Sequence, residues 1–299
     1  MASIRYSDDK ASTSGTFTSS SASPSITAKP LLVLIHGGGV NSRYFDNSLH
    51  SIPREFNNDG YNVLNMARVG YEGNPILKTE TPLFDSSSTY AGFIGKVYQE
   101  NHGGKGGIVI IGHSLGAATS IIIAALEGDN IPLIGVSALG IIPSPSPPEL
   151  ILEALNADPE AERIELGKPD ELYFGQFMGA PDFFDISKFD EIRSMYEGIP
   201  RNELAEWSSH STYHKFVDEV APRVKIPLQF LAAEIEFQWS GLEQARPIFD
   251  QAKRLFNKVP RLDAHILPGG AHNYEFSVHS SRLHKRRLEF IESLVWGNI

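Results

Sequence analysis

The chain of 299 residues contains no cysteine. That absence excludes disulfides, a thiolate zinc site and a cysteine nucleophile together. It also sides with an intracellular setting, since secreted proteins often use disulfides. Basic residues are in the minority, 26 against 36 acidic, for a formal net charge of −10. A field of that sign opposes phosphate, so nucleic acid is not expected as a partner. The best basic run, Lys285-Arg286-Arg287, reads as the exposed face of a last helix. Long hydrophobic runs are missing too. The longest, Ile121 to Leu126, falls far short of the roughly 18–20 residues that span a bilayer. The first ten residues carry no apolar stretch like that of a secretory signal, and Trp296-Gly-Asn-Ile299 is no retention or peroxisomal address. A cytoplasmic protein without a membrane span is the expectation. No period of 20 to 50 residues recurs, which excludes solenoids and propellers.

What is present is an alternation of buried strands and helices. Leu31 to Ile35 is a continuous apolar run that ends in His36-Gly37-Gly38-Gly39. Asn62 to Met66, Ile108 to Ile111, Leu133 to Leu139, Leu228 to Ala233 and Arg261 to Leu267 read as further strands. Helices are expected over Leu49 to Asn57, Leu115 to Glu127, Leu242 to Lys258 and Phe276 to Leu294. Two short polar strands, Ile4 to Ser7 and Thr16 to Ser20, precede them. Strands alternating with helices imply a mostly parallel sheet covered on both faces. Residues 141 to 226 break this rhythm. They open with Pro143-Ser-Pro-Ser-Pro-Pro148 and hold helix-like pieces without a buried strand. A structureless loop of that length is implausible. The chain therefore divides into a core (1–140), an inserted helical cap (141–226) and the rest of the core (227–299).

Gly112-His113-Ser114-Leu115-Gly116 lies between a strand and a small-residue helix, the setting in which G-x-S-x-G acquires meaning. A sharp turn there needs residues without bulk two before and two after the serine, and it lifts the hydroxyl above the sheet. Ser114 is the candidate nucleophile, and His113 is read as wall or packing. Acyl transfer through a serine develops charge on a carbonyl oxygen, which two backbone N–H groups would hold. Leu115 supplies one donor, and Gly38 or, second, Gly39 the other. The competing dinucleotide loop fails because Ser42 stands where its last glycine belongs. A phosphate loop at Gly103 to Gly107 lacks a hydroxyl residue after its lysine. No cofactor is expected.

Among ten histidines, His272 in Pro268-Gly-Gly-Ala-His272-Asn lies on a turn after the last strand, where an imidazole could reach Ser114. His36 reads as a structural anchor of its glycine loop. The acid that would orient the imidazole is sought after a strand between serine and histidine. The exit after Leu139 offers no carboxylate before Glu149, whereas the exit after Ala233 offers Glu236 and, second, Glu234. The insertion carries Tyr173, Phe174, Phe177, Met178, Phe183, Phe184, Tyr196, Trp207 and Tyr213, which together suggest an apolar pocket above Ser114. Gly39, His113, Phe174, Phe177 and Met178 are its candidate linings. A moderately large apolar small molecule is the expected substrate. His210 and His214 stand four apart without an accompanying H-E-x-x-H, so no metal is expected.

These stretches resemble the α/β-hydrolase superfamily in its lidded, non-lipase branch. The likeness runs through the His36-Gly-Gly-Gly loop, the Arg68-Val-Gly-Tyr-Glu-Gly73 turn, Gly112-His-Ser-Leu-Gly116, Ala233-Glu-Ile-Glu236 and Gly270-Ala-His272. His36-Gly-Gly-Gly-Val-Asn-Ser-Arg-Tyr-Phe45 and Ala271-His-Asn-Tyr-Glu-Phe-Ser277 are similar to fungal hydrolases of specialised metabolism. The resemblance implies ester, lactone or thioester chemistry, with a lyase, cyclase, acyltransferase or non-catalytic binding protein as alternatives on the same scaffold.

Overall fold

The computed structural model describes residues 1–20, 29–48, 50–166, 177–179 and 181–296. Eight strands form one sheet: β1 (Ala2–Ser7), β2 (Ser12–Thr18), β3 (Leu31–Ile35), β4 (Val63–Ala67), β5 (Ile108–His113), β6 (Leu133–Leu139), β7 (Leu228–Ala233) and β8 (Leu262–Leu267). Their order is β1-β2-β4-β3-β5-β6-β7-β8. β1 and β2 are antiparallel to their neighbours, and every pairing from β4 to β8 is parallel.

The inner strands are apolar throughout because both faces are covered. Leu31, Val33 and Ile35 of β3 enter one core, while Leu32 and Leu34 enter the other. Ile108 and Ile110 of β5 divide from Val109 and Ile111 in the same way. The helices that cover them include α1 (Ile52–Asn58), α2 (Ser87–Val97), α3 (Leu115–Leu126), α4 (Leu242–Lys253) and α5 (Ser280–Trp296). α3 is buried from Leu115 through Ala124, which explains why its sequence is small or apolar almost all round.

Two helices start later than the sequence suggests. α1 begins at Ile52 because the Ser51 side chain accepts the Arg54 N–H at 3.2 Å, a cap followed by Pro53 in the first turn. α5 begins at Ser280 rather than Phe276. Residues 274–276 form a tight turn, and the Val278 N–H donates to Phe183 O at 2.8 Å, which holds the chain extended there. The basic run on α5 also departs from expectation. Arg287 is fully buried, because its guanidinium pairs with the buried Glu275 carboxylate.

Residues 141–226 add no strand to the large sheet among the described residues. They contain short helices at Glu149–Ala157, Phe189–Arg193, Arg201–Trp207 and His210–Lys215, and a two-residue antiparallel ladder, Arg163–Ile164 against Ile199–Pro200. That ladder has no counterpart in the sequence reading. Among the described residues no helix is long and apolar enough to cross a membrane.

Candidate active site

The carboxyl ends of β5, β6 and β7 and the loop after β8 converge on one cavity. Ser114 follows β5 with φ 52° and ψ −126°, a left-handed conformation that costs a non-glycine residue on the order of 1–3 kcal/mol. Glycines at 112 and 116 permit it. A Cβ at 112 would lie 2.7 Å from Ala117 Cα, and one at 116 would collide with the carbonyl oxygens of Ile35 and His36. The Ser114 N–H is fixed on Leu139 O at 2.8 Å, which ties the elbow to the end of β6. The serine therefore stands at the N-terminus of α3, where the helix dipole favours developing negative charge.

His272 lies on the loop after β8 and is 2% exposed. Its Nδ1 is 2.5 Å from Glu236 Oε2. Glu236 is equally buried, and its other oxygen accepts the Ala233 N–H at 2.8 Å. Both carboxylate oxygens are thus engaged, and the carboxylate is held rigidly at the end of β7. Glu234 does something different. Its Oε2 accepts the Gly269 N–H at 2.9 Å, so it braces the start of the histidine loop rather than the imidazole.

Ser114 and His272 line the same cavity, together with Gly38 and Leu115. Among the described residues the Ser114 hydroxyl makes no hydrogen bond. Such contacts often tighten only when substrate is bound. Phe177 also lines the cavity, with its ring edge-on to His272 at 5.7 Å and to Phe237 at 4.8 Å. Its backbone O accepts the Asn273 N–H at 2.8 Å, which anchors the insertion to the histidine loop.

The other expected linings are placed elsewhere. Gly39, with φ +73°, is not among the residues that line the cavity, and its carbonyl accepts the Glu197 N–H at 3.0 Å. Met178 is buried beside the Asn273 amide. His113 sits behind the site, stacked on Tyr44 at 4.5 Å, with Nε2 at 2.9 Å from His272 O. Phe174 and Tyr173 lie outside the described residues. The remaining walls are residues that the sequence reading does not single out: Ile142 after β6, Ile151, Leu204 and Trp207 from the insertion, and Phe237 and Gln238 beyond Glu236.

His36 anchors its loop on both ring nitrogens. Nδ1 lies 2.8 Å from Gly37 O, and Nε2 accepts the Arg68 N–H at 3.2 Å. Burial, and then the neighbouring Arg68 charge, lowers its pKa to about 3, so it is neutral at physiological pH. Arg68 in turn pairs with the buried Glu203, which also accepts the Tyr71 hydroxyl at 2.9 Å. This network joins the turn after β4 to the helix Arg201–Trp207. His210 and His214 meet through their Nε2 atoms at 2.9 Å on the surface. No group of three or more metal-binding side chains occurs among the described residues.

In sequence, no protein of curated function matches the chain. In structure, it is similar to a thermostable carboxyl esterase from Bacillus coagulans, with TM-score 0.70, 16% identity and 99% of each chain covered. It is similar to the monoacylglycerol lipase of Paleococcus ferrophilus, with TM-score 0.64 and 19% identity over 98% of this chain and 100% of that one. It is also similar to a thermophilic esterase from Thermogutta terrifontis, with TM-score 0.63 and 16% identity over 99% and 100% of the two chains. These likenesses show the fold, and the family model supplies the membership. Residues 32–284 match the alpha/beta hydrolase family, and the chain belongs to that family.

Proposed function

We propose that the protein is a serine hydrolase that cleaves an ester, lactone or thioester bond of an apolar small molecule. The observation that carries this reading is the buried His272–Glu236 pair at 2.5 Å, opening on the cavity that Ser114 borders from a strained elbow. In this reaction Ser114 Oγ attacks the acyl carbonyl carbon while His272 Nε2 takes the hydroxyl proton. Glu236 keeps the other ring proton on Nδ1 and stabilises the imidazolium. The Gly38 and Leu115 N–H groups hold the oxyanion. His272 then hands its proton to the departing alcohol or thiol, and water, activated by the same imidazole, releases the acid from Ser114. No cofactor or metal takes part.

In this reading 1–140 and 227–299 form the catalytic core, and 141–226 act as the cap that supplies apolar walls. Esterase and lipase names among the structural neighbours agree with ester chemistry. The likeness to fungal specialised-metabolism hydrolases rests on the quoted sequence stretches alone. The test is turnover of p-nitrophenyl acetate and butyrate by the wild type and by Ser114→Ala. The variant should lose about 10⁴-fold or more in kcat, and undiminished turnover would remove Ser114 from the mechanism.

A further inference from the structure

Gly38 has no side chain to fix the direction of its N–H, so that direction depends on what holds the neighbouring carbonyls. A peptide unit is planar and trans, so the Gly37 carbonyl and the Gly38 N–H point in opposite directions. His36 fixes this unit. Its Nε2 accepts the Arg68 N–H, so the single proton of the neutral ring lies on Nδ1 and is donated to Gly37 O at 2.8 Å. The loop then continues through Gly39 at φ +73°, a conformation that glycine adopts without steric cost. Rigidity beyond Gly38 must come from outside the loop.

It comes from the insertion. Tyr196 and Val40 form an antiparallel bridge, with the Asn41 N–H donating to Met195 O at 3.2 Å and the Glu197 N–H donating to Gly39 O at 3.0 Å. The Glu197 carboxylate then ties two turns of the core together. Its Oε1 accepts the Asn41 side-chain N–H at 3.2 Å, and its Oε2 accepts the Glu72 N–H at 3.1 Å. Both partners are themselves held. Asn41 Oδ1 accepts the Arg43 N–H at 3.1 Å, and Glu72, at φ 51°, accepts the Ser42 N–H on Oε1 at 2.5 Å. Two residues further on, Ile199 packs on the loop, since a Cβ at Gly38 would lie 3.2 Å from its Cδ1. Glu197 therefore grips the segment after Gly38 through main chain and side chain at once, as His36 grips the unit before it.

From this clamp, and resting on the hydrolase reading above, we infer that Glu197 is a positioning residue for the oxyanion hole. It is not among the residues that line the cavity, and it acts through Gly39 and Asn41 to keep the Gly38 N–H in place for the developing charge. A preorganised donor needs no rearrangement during the reaction, and losing one outright costs about 10²- to 10³-fold in rate. Displacing one by about 1 Å costs up to ~10²-fold. The residue type follows from the two N–H groups that converge on it, because a carboxylate offers an oxygen to each. The insertion is then part of the catalytic apparatus and not a wall alone.

The experiment compares the wild type with Glu197→Ala, Glu197→Gln and the double variant Glu197→Gln with Asn41→Asp, each checked for folding by circular dichroism. In the double variant the amide N–H donates to the carboxylate at 41 while the amide oxygen accepts the Glu72 N–H, so both bonds return with one reversed. p-Nitrophenyl butyrate gives kcat and KM. An alkyl trifluoromethyl ketone reads the oxyanion hole: Ser114 Oγ adds to its carbonyl carbon, the hydroxyl proton passes to His272, and the carbonyl oxygen takes the negative charge. Glu197→Ala should lose about 10- to 100-fold in kcat with KM within about threefold, and the Ki of the ketone should rise by the same factor as kcat falls. Glu197→Gln should lose less, and the double variant should return to within about threefold of the wild type. Should Glu197→Ala fail to fold, Glu197→Gln against the double variant decides by the same criteria. A kcat within about threefold of the wild type in the single variants, a fall in kcat without the matching rise in Ki, or no recovery in the double variant overturns the positioning role and leaves the hydrolase intact. No turnover by the wild type, with no labelling of Ser114 by ethyl fluorophosphonate, overturns the hydrolase reading and this inference with it.

Discussion

The ring of His113 donates from Nε2 to the backbone carbonyl oxygen of His272 across 2.9 Å. Burial, and then the neighbouring imidazole, holds the His113 pKa well below the ordinary histidine value, so the ring carries a single proton. A carbonyl can only accept, which places that proton on Nε2. Nδ1 has no hydrogen-bond partner among the described residues. The residue beside Ser114 thereby holds the loop that carries His272.

His113→Phe should keep the stack on Tyr44 and lose this donor. Because a misplacement of about 1 Å can cost ~10²-fold in rate, kcat should fall about 10- to 100-fold with KM little changed. His113→Gln, which keeps an N–H donor, should recover part of the loss. Steady-state kinetics on a short ester checks both. An equal fall in the two variants would reduce His113 to packing.

The two carboxylates after β7 should separate cleanly. In Glu236→Gln one amide group must face either the Ala233 N–H or the His272 Nδ1–H, so a donor meets a donor. Loss of the correct tautomer should cost about 10³- to 10⁴-fold in kcat. Glu234→Gln keeps an acceptor for the Gly269 N–H and should cost less than about threefold. The kcat of each variant on one ester decides between them, and a larger effect at 234 would reverse the assignment.

How much of this was legible in the sequence follows from the physics of each part. The Ser114 elbow and the parallel strands are local signals, a tight turn between an apolar strand and a buried helix. The pairing of His272 with Glu236 needed only the rule that site residues gather at the carboxyl ends of parallel strands. The cavity walls obey no local rule. Ile151, Leu204 and Trp207 look like the inner face of any short helix, and only packing turns them towards Ser114. α2 carries Ser, Thr and two glycines, and at one of them, Gly92, a Cβ would collide with the Tyr6 hydroxyl from β1. Its helical signal gives way to a tertiary contact. Arg287 reads as a surface cation because no pattern on α5 announces Glu275 on the preceding turn.

The Arg287–Glu275 pair should matter for stability. Both side chains are fully buried, so Arg287→Met leaves Glu275 with His284 as its remaining ionic partner. Breaking a buried pair from one side costs about 3–5 kcal/mol, which corresponds to a fall in Tm of roughly 6–10 °C. Differential scanning calorimetry at pH 7 measures it. An unchanged Tm would mean that the pair contributes nothing net.

Stability should also decline towards alkaline pH. Burial opposes the charge on His284, but the hydrogen bonds it donates to Glu275 and Glu55 outweigh it and raise its pKa to about 9. Its contribution is complete below the unfolded value of about 6.5 and is lost as pH rises through 9. Burial pushes Glu206 up to about 8. The native state there binds more protons than the unfolded chain between about 4.5 and 8, which again lowers stability as pH rises. The buried neutral His36 and His113 act in the opposite sense below about pH 7, so urea unfolding midpoints should fall between pH 7.5 and 9. Glu206→Gln should flatten the decline near pH 8, and a midpoint that rises between pH 7.5 and 9 would contradict both assignments.

The central claim is that Ser114 is the group that becomes acylated, and covalent capture reads it without any assumption about substrate. The protein is treated with a small fluorophosphonate, its intact mass is measured, and the modified peptide is mapped. The account predicts one adduct per chain, located on Ser114, absent from Ser114→Ala and formed much more slowly in His272→Ala. An adduct on another residue, or an undiminished adduct in Ser114→Ala, would contradict it.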